Sequence, residues 1–425
     1  MAEPTHRRSN SSESYNRSDE PLYNTAQRRV TVRSVRSLRG TLPTNSGVIL
    51  GAGPYADREK LSFIECLKTI LFATRINALL VFVPIGIIAA QLHWSPMAVF
   101  LLNFVAIIPL AKLLGYATEE IAMRLGDNLG ALLNASFGNA VELILSVIAL
   151  KEGKIDVVQA SVLGSVLSNL LLVLGFCFIC GGYKFQSQKF NMTAAQTSAS
   201  LLSLSCMSLL IPAAFVASAK EIDQTANIKH LSYGTSIILL IVYMFFLYFS
   251  LKSHSHLYSS DENDSEDEPV LPLWLSLTLL LGVTIVVAVC AEGLVDSIEP
   301  VAKAWNVSEV FVGIILLPIV GNAAEHVTAV SVAMKNKMDL AIGVAVGSST
   351  QIALFVTPLM VIIGWIIGQP MTLFFHTFET CVLFVSVLIV NYLIQDGESN
   401  WLEGVMLLAA YVIIAIAFYF YPSQV

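Results

Sequence analysis

Charge is scarce in this chain of 425 residues: 13% of them are charged and 55% are hydrophobic. That balance excludes a water-soluble protein of two or three domains. Cysteine is sparse too. Only Cys177 and Cys180 among the six form a C-x-x-C, with no second pair and no nearby histidine. Small-residue packing accounts for such a pair better than zinc or redox chemistry, and no disulfide framework follows. HExxH, GxSxG and paired-aspartate motifs are missing from the apolar runs. An intramembrane hydrolase is therefore disfavoured, and neither an enzyme, a cofactor nor a nucleic-acid partner is expected. The first apolar run starts only after 60 or more polar residues, so no cleaved signal peptide is expected.

What is present is a series of apolar runs near 20 residues long, enough for helices to cross a hydrocarbon core of about 30 Å. They fall at about 70–91, 95–114, 131–150, 157–180, 193–217 and 231–251, then at 271–291, 309–334, 339–364, 371–394 and 401–421. The fold class is an all-α integral membrane protein of about eleven transmembrane helices, with the lipid bilayer as its solvent.

An internal repeat organises them. Gly138-Asn139-Ala140-Val141-Glu142 returns as Gly321-Asn322-Ala323-Ala324-Glu325, an offset of 183 residues. Lys154, Asp156, Gly164 and Ser165 meet Lys337, Asp339, Gly347 and Ser348 at the same offset. Each motif lies on the second span of a five-span block. Five is odd, so the blocks enter the membrane from opposite sides and form inverted repeats, the architecture of alternating-access transporters. The expected organisation is a disordered basic cytosolic tail at 1–65, an extra helix at 66–92, repeat one at 93–251, an acidic cytosolic linker at 252–270 and repeat two at 271–425. The linker holds six carboxylates between Asp261 and Glu268. Basic residues ahead of the first span, including Arg58, Lys60 and Lys68, place the tail and the linker in the cytosol.

Glu142 and Glu325 sit about ten residues from either polar flank of their spans, and neither has Arg or Lys close by on its own helix. An ionisable group at that depth costs about 2.5–3.5 kcal/mol and usually serves a binding or relay task. The plainer alternative is a protonated glutamate that only holds helices together. Asn139 and Asn322 precede the glutamates by three residues, which puts amide oxygen and carboxylate on one helical face. Ser165, Asn169, Ser348 and Gln351, one span later, are candidates to complete the set. Other small residues there, Ser161, Gly164 and Ser168 among them, read as helix-packing surface. His326 has no counterpart in the first repeat, where Leu143 stands; it can relay protons or simply hydrogen-bond a neighbouring helix. Glu119, Glu120, Asp127, Glu292, Asp296 and Glu299 fall toward span ends, as pathway mouths or solvated helix ends.

All of these ligands are hard oxygen donors, which suit Ca2+, with Glu142 and Glu325 as its metal ligands; sodium and manganese fit less decisively. Two carboxylates balance one divalent charge, and two protons balance them equally well. The reading is a proton-coupled exchanger, with the same scaffold moving Mn2+ or another divalent cation, or a Ca2+ channel without proton coupling, as alternatives.

Gly138–Glu142 and Gly321–His326, together with their spacing, the serine-rich helices and the acidic link, resemble the cation/proton exchanger family, the vacuolar calcium/proton antiporters of the calcium/cation antiporter superfamily. The resemblance covers about 65–421. It implies exchange of cytosolic Ca2+ for vacuolar H+ in the vacuolar membrane, with Glu142 and Glu325 shared by ion and protons, and Asn139, Asn322, Ser165, Asn169, Ser348, Gln351 and His326 assisting. Related sodium/calcium exchangers carry Thr or Ser before Pro-Glu in place of Gly-Asn-Ala, so sodium coupling is disfavoured.

Overall fold

Each apolar run of the sequence falls largely on helix in the computed structural model, which describes residues 68, 70–71, 74–125, 127–218, 224–257 and 269–421. The basic tail and the carboxylate run 261–268 lie outside the described residues. All described residues belong to one unit, Leu61–Val425. Helix α1 spans Arg75–Gln91, α2 Pro96–Leu125, α3 Asp127–Phe137, α4 Ala140–Lys151, α5 Ile155–Lys184, α6 Met192–Ser218 and α7 Asn227–Ser253. After the acidic link come α8 Leu273–Trp305, α9 Glu309–Gly321, α10 Ala323–Ala333, α11 Met338–Ile367, α12 Thr377–Leu393 and α13 Trp401–Phe420.

Among the described residues, seven helices are long and apolar enough to cross a membrane: α2, α5, α6, α7, α8, α11 and α13. The pair α9 and α10 passes the same test together but is bent by 58° at Asn322. Helices α1 and α12 are apolar and shorter. Ile238, Phe245, Leu281, Ile285, Ile413 and Phe420 are exposed on the outer faces of α7, α8 and α13, the surface that lipid tails cover at no cost.

Three boundaries depart from the sequence expectation. Helix α2 runs on past 114 to Leu125, because Pro109 is buried inside it and does not end it; neighbouring helices satisfy a backbone group freed by proline in such bundles. The third run, 131–150, divides into α3 and α4 around Gly138 and Asn139. Helix α12 starts at Thr377 rather than 371, where the backbone of 369–376 is irregular and Gln159 Nε2 donates to the Thr372 and Phe374 carbonyls at 3.0 and 2.9 Å.

The two halves share local devices at the 183-residue offset. The turn after α4 has Gly153 at φ 76°, and the turn after α10 has Asn336 at φ 63°. In each, successive backbone N–H groups bond back to the preceding helix: Gly153 to Leu150 and Lys154 to Ala149, as Asn336 to Ala333 and Lys337 to Val332. A left-handed residue at this point is the usual way to end a helix, and Gly and Asn are the two residues that adopt it cheaply. Both π turns that widen α5 and α11, Ser168–Val173 and Ile352–Val356, also fall at matching places.

Across the halves, α2 and α8 share the longest interface, α13 lies along α5 and α12 along α6. On the side where α2 ends and α8 begins, called here the linker side, the buried Glu120 carboxylate accepts from the Val270 and Leu271 N–H groups at 3.2 and 2.8 Å, and Arg124 donates to the Leu271 carbonyl. A two-residue ladder pairs β1 (Gln188–Lys189) with β2 (Glu398–Ser399) on that side too. Glu120 is thus a structural anchor for the start of α8.

Candidate functional site

Both motif helices break one residue before they restart. Asn139 and Asn322 stand at the breaks in non-helical conformations, φ −103°, ψ 31° and φ −88°, ψ 6°, and α4 and α10 begin at Ala140 and Ala323. This corrects the expectation that each asparagine shares a continuous helical face with its glutamate. A break turns the amide away from its own helix and toward the opposite half of the molecule.

The consequences are cross-half contacts. Asn139 Nδ2 donates to Gln351 Oε1 at 2.6 Å, and Ser348 Oγ lies 2.7 Å from Asn139 Oδ1 and 3.0 Å from Glu325 Oε2. Asn169 Nδ2 donates to Ser348 Oγ at 3.1 Å. Glu142, buried in the core, reaches to Gly321: a Cβ added there would stand 2.7 Å from Glu142 Oε1. Only glycine allows that approach. The residue beside it is Asn322, and Glu325 follows one turn on, so the structure brings Glu142, Glu325, Asn139, Asn322, Asn169, Ser348 and Gln351 to one place.

Hydrogen-bond capacity is left over here. Glu142 Oε1, both amide atoms of Asn322, Asn169 Oδ1, Ser165 Oγ and Gln351 Nε2 are buried without a protein partner. Unpaired buried polar atoms are uncommon and each costs about 1–3 kcal/mol, so a cluster of them makes this a candidate binding site. Ser165, 1% exposed, makes no bond to the others. No group of three or more His, Cys, Asp or Glu side chains is close enough to hold a metal among the described residues. The donor set is instead two carboxylates with amide and hydroxyl oxygens, the ligand class of hard cations.

His326 Nε2 meets Ser168 Oγ at 3.3 Å. Ser168, read from the sequence as packing surface, is its partner, and the repeat carried the signal: Ser168 is the counterpart of Gln351 at the 183-residue offset. Ser348 is the hub of the set: its hydroxyl accepts from Asn169 Nδ2, and its single proton is shared between Asn139 Oδ1 and Glu325 Oε2 as acceptors.

The two sides of the site differ. On the far side from the linker, α9 is pressed on α5: a Cβ on Gly313 would stand 2.5 Å from the Ala160 Cβ, and one on Gly164 would collide with the Ile314 carbonyl. Beyond that seam Lys154 Nζ donates to the Val295 carbonyl at 2.8 Å and lies 3.5 Å from Glu152 and 3.9 Å from Asp296. On the linker side, Gly343 and Gly347 occupy the positions equivalent to Ala160 and Gly164, yet a Cβ at either would meet nothing within 4 Å. Helix α3 lies along α2 instead, with Gly130 against the Ala122 carbonyl. Glu325 is partly buried, whereas Glu142 is 3% exposed.

Known proteins match this arrangement over most of its length. A family model described as sodium/calcium exchanger protein covers residues 95–252 and 275–420. The vacuolar calcium ion transporter of Schizosaccharomyces pombe is 52% identical over 366 residues, 85% of this chain and 89% of its own. Vacuolar cation/proton exchanger 2 of Arabidopsis thaliana is 44% identical over 85% of this chain and 84% of its own. The crystal structure of the selenium-substituted Ca2+/H+ antiporter protein YfkE superposes with a TM-score of 0.68 at 39% identity, covering 81% of this chain and 98% of YfkE. The chain belongs to the sodium/calcium exchanger protein family, within the cation/proton exchanger branch that these relatives represent.

Proposed function

We propose that this protein is a secondary antiporter of the vacuolar membrane that exchanges cytosolic Ca2+ for lumenal H+ at a single site built on Glu142 and Glu325. The observation that carries this reading is the convergence of two membrane-depth carboxylates with unpartnered amide and hydroxyl oxygens. Two ionised carboxylates in low dielectric repel each other strongly; one divalent cation or two protons neutralises them. Both loaded states are then near neutral and cross the bilayer midplane at low electrostatic cost, whereas the empty anionic site does not. Obligatory exchange follows. The names of the relatives supply Ca2+, H+ and the vacuole.

The same reading assigns eleven spans: the seven long helices, the two shorter ones, and the pairs α3 with α4 and α9 with α10 as broken spans. After α1, each half has five, with opposite directions. The linker side is the cytosol, on the basic residues before α1, and the far side is the lumen. With α9 closed on α5 and α3 away from α11, the site opens to the cytosol, and Glu325 faces that opening. Alternating access would exchange these arrangements.

Glu142→Gln and Glu325→Gln test it. Each keeps side-chain shape and removes the carboxylate, so Ca2+ uptake into proteoliposomes should fall below about 1% of wild type, the scale of a lost charge pair, with an unchanged elution profile and melting temperature. Full uptake by either variant would refute the two-carboxylate site.

A further inference from the structure

Ser146 stands one turn beyond Glu142 on α4, toward the far side, and is 1% exposed. Its hydroxyl has no hydrogen-bond partner. Other helical hydroxyls behave differently: Ser203, Ser297, Thr328 and Ser349 all donate to the carbonyl four residues back, at 2.9, 2.6, 3.0 and 2.8 Å. Such a back-bond is the ordinary resting place of a helical hydroxyl. Ser146 points instead into a crevice shared by α4, α5, α8 and α9, lined by Ser161, Val158, Val295 and Leu317 among others. The crevice admits no water-sized group in this conformation.

The repeat shows that packing does not ask for these hydroxyls. At the 183-residue offset Ser146 becomes Ala329 and Ser161 becomes Val344, and Ala329 is fully buried. The equivalent positions in the other half carry apolar side chains. Two hydroxyls have therefore been placed on one side of the site, between Glu142 and the lysine clasp that closes the far end at the Val295 carbonyl.

We propose that Ser146 and Ser161 form the first step of the far-side exit, supplying neutral oxygen ligands to the divalent cation as it leaves Glu142; this rests on the exchanger reading above. Leu317 belongs to α9, so separation of α9 from α5 opens the crevice along the two hydroxyls. Neutral oxygens suit the task. They replace hydration water around a hard cation without the charge that would hold it there.

The test uses the full chain in proteoliposomes and Ca2+ itself. In Ser146→Ala/Ser161→Ala, equilibrium Ca2+ binding in detergent should stay within about twofold of wild type while exchange velocity drops about tenfold, and Ser146→Thr should restore most of the velocity because the hydroxyl returns. A Ser146→Cys variant, with the native cysteines replaced by alanine, should react with a charged thiol reagent supplied from the far side during turnover, and lumenal Ca2+ should slow that reaction. Wild-type velocity in the double variant, or a thiol at 146 that stays inert in an actively exchanging carrier, overturns the proposal. Failure of wild-type vesicles to exchange Ca2+ for H+ would instead defeat the parent reading, and the labelling of residue 146 would still report whether the crevice opens.

Discussion

At the scale of single residues, two asparagines that look identical in sequence have different surroundings. Asn139 is bonded through both amide atoms, to Gln351 and Ser348, whereas Asn322 is bonded through neither. Asn139→Ala strands Gln351 Oε1 and takes one of three partners from Ser348, and should lower stability by about 1–3 kcal/mol, read as a fall in melting temperature. Asn322→Ala strands none; its melting temperature should stay close to wild type while Ca2+ affinity falls, measured by equilibrium binding. Gly321→Ala makes a sharper case, since its methyl group would stand 2.7 Å from Glu142 Oε1 and force the carboxylate out of place. Exchange should drop at least about tenfold, the effect of a misplaced charged ligand. The motif glutamates, asparagines and His326 were legible as candidates because ionisable and amide groups are rare inside apolar runs. The contact of Gly321 with Glu142, and of Ser168 with His326, joins residues far apart in the chain. Nothing in one helix read alone contains that information, although the offset that pairs Ser168 with Gln351 was there to be used.

Among elements, the glycines of α5 and α11 separate what is closed from what is open. Gly164→Ala places a methyl group against the Ile314 carbonyl and should cost about 1–3 kcal/mol through overpacking of the α5 and α9 seam. Its equivalent, Gly347→Ala, meets nothing within 4 Å and should leave the melting temperature unchanged. If α3 swings onto α11 during transport, a larger Gly347→Leu keeps the fold and Ca2+ binding but stops exchange. Outside the spans, desolvation, with the Asp296 carboxylate beside it, holds the Glu152 carboxyl above its ordinary range. A raised carboxyl destabilises the fold when ionised, so Glu152→Gln should melt slightly higher than wild type near neutral pH, and the difference should vanish as pH falls below the ordinary carboxylate range. Helix positions were readable from the apolar runs. Their ends were not: Pro109 passes inside α2, and the α3 to α4 break falls where Gly138 and Asn139 replace apolar residues without any proline to announce it.

At the scale of the whole molecule, apolar outer faces on α7, α8 and α13 fit a membrane as solvent, and the proposed exchange makes neutralisation of Glu142 and Glu325 by a cation or by protons the condition for movement. Ca2+ uptake into proteoliposomes loaded at acidic pH, with internal pH recorded at the same time, tests this most directly. The account expects Ca2+ entry and proton exit to rise together, and both to collapse when a protonophore removes the gradient. Ca2+ entry with no proton exit, undiminished by protonophore, would contradict it and point to a channel.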